Sequence, residues 1–269
     1  MDYGILSPVN DWIFKLLFGD ERYKDRLIDF LKSFVELPNE EYELTFLDTH
    51  LKPEADDDKL GILDVKVRTK SGKIINIEIQ VNPIKNIGKR LSFYKSKLIV
   101  GQIAESEAYS VIQKVICICI TEYKLFPEVG DYLNCFRFYN PKNKIYFDDI
   151  PEEIFTLELP KLPVQSDGTN GWNWLQFLRS KTKEEFEMVA AQSPEIRKAV
   201  NTLYELSADA KVRAEYEQRL KAFRDRKNEF DGLMDDTLSN VAKKLKSFGT
   251  PIEHIAKATG LTIKQIEAI

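Results

Sequence analysis

Residues Leu63 to Val81 read LDVKVRTKSGKIINIEIQV. Apolar side chains alternate as Leu63, Val65, Val67 and again as Ile75, Ile77, Ile79, Val81, with Ser71-Gly72 between the two sets. Period-two alternation on either side of a glycine turn predicts a β-hairpin with one apolar face. The other face carries Asp64, Lys66 and Arg68 on the first strand and Asn76, Glu78 and Gln80 on the second. A three-residue loop, Lys70-Ser71-Gly72 with Gly72 left-handed, pairs Thr69 with Lys73 and sets Asp64 opposite Glu78. Like charges whose Cβ atoms stand about 4.5–5.5 Å apart repel, so an ordinary sheet avoids this pair. A divalent cation between them removes the conflict, because two converging carboxylates are what Mg²⁺ takes from a protein when phosphate and water complete its shell. Asp64 and Glu78 are therefore the candidate metal ligands. On the same face Gln80 is set to orient a water or a phosphate oxygen, and Lys66 to offset negative charge on a substrate. Taken alone, the stretch also reads as a half-exposed hairpin with a charged solvent face.

The neighbours extend the hairpin into a fold. Asn82-Pro83 stops the second strand, since proline cannot donate to the ladder. From about Lys85 to Glu105 an apolar stripe at Leu91, Leu98, Ile99 and Ile103 predicts a helix. Lys114 to Thr121, KVICICIT, is a near-continuous apolar run suited to a strand buried on both faces. A strand-helix-strand crossover of this length implies a parallel pair with a right-handed connection. Before the hairpin, Asp11 to Glu36 reads as two helices broken around Gly19-Asp20, and Glu43 to Leu51 as a strand followed by the acidic loop KPEADDDKLG. Glu54, Asp56, Asp57 and Asp58 in that loop are read as a solvated run in preference to metal ligands. Between Lys85 and Lys97 there are five basic residues and no acidic one. Arg90, Tyr94 and Lys97 fall at i, i+4 and i+7 of the helix and share a face, either a phosphate-binding one beside the metal or a solvated basic one.

Composition narrows the function classes. The chain has 269 residues, 43% hydrophobic and 30% charged, with a net charge of −4. That balance is ordinary for a globular protein and argues against whole-surface nucleic-acid binding. No basic segment followed by an apolar run opens the sequence, and no stretch nears the roughly 20 apolar residues that span a bilayer, so a cytoplasmic location without membrane contact is expected. Cys117, Cys119 and Cys135 form neither a CxxC pair nor a disulfide framework and are expected in the core. With only His50 and His254, zinc chemistry and a Ser-His-Asp triad fall away, although His50 beside Asp48 stays a candidate for a minor role.

The helix, the strand bearing Asp64, the linked strand with Glu-x-Gln, the helix and the buried strand together resemble the PD-(D/E)XK nuclease core. More narrowly, NDWIFKLLFGDE near the N-terminus, the LDVKV and NIEIQV pair, RLSFYKSKLIVGQI and the tail IAKATGLTIKQIEAI are similar to the recombination-promoting nuclease (Rpn) family, also named the PD-(D/E)XK nuclease family transposases. The resemblance runs closely from Leu6 to Leu159 and loosely through the tail. It implies an α/β, restriction-endonuclease-like fold with a mixed sheet flanked by helices, and a Mg²⁺-dependent endonuclease acting on DNA, with recombination, transposition or defence as associated biology. Asp64 and Glu78 then hold the metal, and Gln80 takes the place that the wider superfamily usually gives to lysine. That departure leaves activation of the attacking water to Lys66 or to the metal itself. Asp11 matches a family position, and Lys15 follows one turn on; both are carried as accessory candidates, against helix-start and surface roles.

Tyr132 to Tyr139 and Phe155 to Leu159 read as further strands, and Pro160 to Pro163 closes a nuclease-like domain at 1–164. The polar stretch Gln165 to Gly171 then leads into an all-helical region, 172–269. Within it Ala208 to Phe230 forms a long helix with a narrow stripe at Val212, Tyr216, Leu220 and Phe223. That stripe suits a homodimer through this helix or packing on the preceding helices, and its basic residues suit DNA backbone. Thr250 to Ile269 resembles the first half of a helix-turn-helix, with a capping box and proline at its first start and a second start at Thr262. Its final helix is too short and too weakly basic to read bases, so a packing element is preferred. The expected function is a metal-dependent DNA endonuclease. The alternative is a non-catalytic DNA-binding or protein-interaction protein that keeps the fold.

Overall fold

In the computed structural model, which describes residues 4–50 and 63–269, helices α1 (Asp11–Phe18) and α2 (Lys24–Lys32) precede strands β1 (Thr45–Phe46), β2 (Val65–Arg68) and β3 (Ile74–Gln80). Helix α3 (Ile87–Val100) leads to β4 (Val115–Thr121), then come β5 (Leu133–Phe136), the short pair β6 (Tyr139–Asn140) and β7 (Ile145–Tyr146), and β8 (Glu152–Glu158). Six strands form one mixed sheet in the order β1-β2-β3-β4-β8-β5.

The hairpin has the register its turn implies. Thr69 N–H donates to the Lys73 carbonyl at 2.9 Å, Gly72 takes φ +95°, and Lys66 pairs with Asn76 and Val65 with Ile77. One step further along that register lies Asp64 opposite Glu78. β4 lies parallel to β3, and β8 parallel to β4, so Glu78, Cys119 and Thr156 share one row across three strands. Of the expected Glu43–Leu51 strand, β1 covers Thr45, paired with Arg68, and Phe46, paired with Val67; His50 adds an isolated bridge. The acidic loop with Glu54, Asp56, Asp57 and Asp58 lies outside the described residues.

The half-exposed reading of the hairpin is overturned by burial. Every residue of β3 is buried, with Asn76 at 0%, Glu78 at 1% and Gln80 at 8% exposure. The cover is α3, whose Tyr94 and Leu98 pack with Leu63, Ile74, Val115 and Cys117. On the opposite face Ile75, Ile77, Ile116, Ile118 and Ile120 are fully buried. Cys135 departs from the expected core position: it is exposed on β5, which pairs on one side only, with β8.

Compactness divides the chain at 210, later than the polar stretch at 165–171, into Met1–Ala210 and Lys211–Ile269. Helices α4 (Asn170–Arg179), α5 (Lys183–Ala190) and α6 (Pro194–Ala208) belong to the first unit. The reason is aromatic packing and buried hydrogen bonds. Fully buried Trp174 meets Phe18 and Phe30 at ring distances of 5.5 and 6.0 Å, and its Nε1–H donates to Asp29 at 2.8 Å. Arg26 donates to Thr202 at 2.6 Å, which ties α2 to α6.

The second unit holds α7 (Ala210–Ser247), α8 (Ile252–Thr259) and α9 (Ile263–Glu267). Ala242, Ile255 and Ile266 are fully buried together. The capping box at Thr262 and Gln265 forms as expected, whereas the one at Thr250 does not. Thr250 N–H is taken by the Leu245 carbonyl as part of the α7 terminus, with Gly249 at φ +74°, and Pro251 stands at the cap of α8. Among the described residues no helix is long and apolar enough to cross a membrane.

Candidate active site

The hairpin, α1 and α3 converge on Asp64 and Glu78. Asp64 follows buried Leu63 at the entry to β2, and one of its oxygens accepts the Ile79 N–H at 2.9 Å. The other faces Lys15 Nζ at 3.7 Å. Glu78 accepts from the Asn76 amide at 3.3 Å through one oxygen, and the other lies 3.9 Å from Arg90 Nη2. Each carboxylate thus has one oxygen tied to the hairpin and one facing a cation that stands short of hydrogen-bond distance. Asp11, on the exposed start of α1, adds negative charge near Asp64, and its own Oδ1 accepts the Trp12 N–H at 2.8 Å.

Burial sets the electrostatics. Loss of solvent pushes the Asp64 carboxyl up to about 6, against the pull of the Ile79 N–H and Lys15. The same loss, with the Asp64 charge next in size, pushes Glu78 up to about 8. The pair titrates as a unit and keeps about one proton at pH 7. A hard divalent cation fits these groups. The donors are carboxylate and amide oxygens, while burial pushes the neighbouring Cys117 and Cys119 thiols up to about 12 and so keeps them neutral. Asn76 Oδ1 and Arg90 Nε are also buried without a hydrogen-bond partner, as polar atoms are where a ligand or water completes the site. Among the described residues no three His, Cys, Asp or Glu side chains gather as a metal-binding group, so the donors this geometry offers are a pair.

The other sequence candidates distribute around this centre. Gln80 is buried on the same face of β3, and Lys66 lies on that face of β2 in register with Asn76. Arg90 reaches Glu78 and rests over the Tyr94 ring at 5.1 Å from its centroid. Tyr94 itself is 7% exposed in the α3 core cluster, with the Arg90 guanidinium over its ring. Lys97 Nζ stands 5.9 Å from the Phe93 ring centre. His50 pairs with Asp48 at 2.9 Å, both exposed. Three neighbours escaped the sequence reading as site groups. Asn76 orients Glu78, and Thr156 Oγ1 and Tyr123 Oη are buried polar atoms without partners. Asn76 could have been found from the polar face of its strand. Thr156 joins the Glu78 row only through the β4–β8 register.

A profile of the PD-(D/E)XK nuclease family transposases matches residues 8–232. No curated protein and no solved structure matches the chain. Nucleases of the PD-(D/E)XK type generally use divalent metal ions. The matched span ends before the tail whose sequence resembled the family, and it takes in α1, the hairpin, α3 and the parallel strands. The chain belongs to the PD-(D/E)XK nuclease family transposases.

Proposed function

We propose that this protein is a divalent-cation-dependent DNA endonuclease that hydrolyses phosphodiester bonds at Asp64 and Glu78. The observation that carries the reading is the opposed carboxylate pair, 9% and 1% exposed, with both groups raised well above the usual carboxylate range. Buried like charges destabilise a fold, and groups perturbed in this way concentrate at functional sites. Asp64 and Glu78 would hold the cation, with Mg²⁺ the choice of a hard-oxygen donor set. When bound, such a cation supplies a Lewis acid and offsets charge that develops on the phosphate oxygens. Arg90, with its Nε unpartnered, is placed to donate to a phosphate oxygen, and Lys15 approaches from α1 on the Asp64 side. Gln80 orients the attacking water through its amide, and Lys66 offsets negative charge on the strand being cut. Lys89 and Lys97 extend the basic side of α3 for the DNA backbone.

The test is conversion of supercoiled plasmid by the purified full chain. Nicking with Mg²⁺ that stops in EDTA supports the reading. Nicking that persists in EDTA, or none with Mg²⁺ or Mn²⁺, rejects it.

A further inference from the structure

Residues 135–147, CFRFYNPKNKIYF, stand apart from the rest of the first unit. They hold five aromatic side chains and three basic ones, Arg137, Lys142 and Lys144, with no acidic residue, in a chain whose net charge is −4. The acids resume at Asp148. The aromatic side chains are in the open: Phe136 44%, Phe138 51%, Tyr139 45%, Tyr146 51% and Phe147 63% exposed. An apolar group of this size on the surface marks an interaction site.

The ribbon is also built rigidly. Tyr139 pairs with Tyr146 across β6 and β7, with ring centres 4.8 Å apart. Arg137 lies over the Tyr146 ring at 4.7 Å, and Phe147 N–H donates to the Phe138 carbonyl at 3.1 Å. Asn140 Oδ1 accepts from the N–H groups of Lys142 and Asn143 at 3.0 and 3.2 Å, which fixes the basic tip. Phe138, Tyr139, Asn140, Ile145, Tyr146 and Phe147 line a cavity of about 330 Å³.

We infer that this ribbon is a stacking platform for unpaired bases of a DNA strand. Sequence-tolerant binding of single strands combines aromatic faces for the bases with cations for the backbone, and this ribbon presents both together. Residues 135–147 carry three cations and no acid, and the acids beside Phe136 to Tyr139, Glu152 and Glu153, are paired with Lys95 and Lys114, so the ribbon keeps the charge that complements a phosphate chain. Its position suits the site, because Phe136, at the base of the ribbon, lies three strands and two residues from Glu78, or about 16 Å. The inference rests on the nuclease reading for its choice of DNA, and it adds a preference: the protein engages an unpaired stretch a few nucleotides from the bond it cuts.

The experiment is fluorescence anisotropy of the full chain with labelled oligothymidylate and with a duplex of the same length, both in EDTA. The wild type should bind the single strand more tightly. Phe138→Ala and Phe147→Ala should each weaken it about tenfold while duplex binding stays unchanged, and Phe147→Trp should restore it. Equal binding by wild type and alanine variants overturns the inference. So does a fall in apparent mass on gel filtration of the variants, which would assign the rings to a contact between copies. Ring-dependent binding by a protein that never nicks upholds the platform and rejects the nuclease reading; nicking with ring-independent binding does the reverse.

Discussion

Glu78→Gln keeps the shape of a buried side chain and removes its charge, so it should change how the stability of the metal-free protein depends on pH. In the folded protein Glu78 is raised from 4.5 to about 8 and Asp64 from 3.8 to about 6. A carboxyl with a raised folded pKa binds protons more tightly when folded, so its stabilising effect is complete below the unfolded pKa and is lost as pH rises through the folded one. From pH 6 to 8 the folded pair holds about one proton that the unfolded chain has lost, so stability falls by about 1.4 kcal/mol per pH unit, or up to about 3 kcal/mol over the window. For a unit of this size that is a fall in Tm of roughly 6–12 °C. Differential scanning fluorimetry in EDTA from pH 5.5 to 8.5, reported as the difference between wild type and Glu78→Gln, isolates this group from the rest of the protein. The variant should be the more stable at pH 8, and the gap should narrow steadily as pH falls, closing only toward the unfolded value of 4.5. Parallel curves would mean that Glu78 is not a buried acid, and the electrostatic account of the site would fail.

Cation binding must expel the remaining proton. Calorimetry with Mg²⁺ or Mn²⁺ in buffers of different ionisation enthalpy should therefore show release of about one proton at pH 7, with apparent affinity rising up to tenfold per pH unit between 6 and 8. Arg90→Gln removes the cation nearest Glu78, so the acid limb of the cleavage profile should move to higher pH while the rate falls about tenfold or more; an unmoved limb would separate Arg90 from Glu78. A chain ending at Ala210 should fold and melt cooperatively, whereas one ending at Val164 should not, because Phe18 and Phe30 lose Trp174. Trp174→Ala in the full chain should cost about 3–5 kcal/mol by chemical denaturation.

The sequence carried the hairpin register because a single glycine with positive φ fixes the loop, and the loop fixes every pair up to Asp64 and Glu78. It carried the parallel strand through the apolar run of β4. Alternation shows which residues share a face but not what covers that face, and so burial of Asn76, Glu78 and Gln80 under α3 was out of reach. Thr156 enters the Glu78 row by pairing with Cys119, a contact between residues 37 positions apart in the chain. The packing of α4 on α2 depends on Trp174 and Asp29, separated by 145 positions, and the local polar stretch at 165–171 gave no sign of it. Thr250 shows a local signal read for the wrong helix: its environment belongs to the end of α7, because Gly249 turns the backbone there.

The central claim is that Asp64 and Glu78 do the chemistry together through a cation. The most direct measurement is single-turnover DNA cleavage with Mg²⁺ by wild type, Asp64→Asn and Glu78→Gln, each paired with its melting temperature. The account predicts that both variants are at least as stable as wild type at pH 8 and cleave about a hundredfold more slowly or worse. A folded variant that cleaves at the wild-type rate would contradict it.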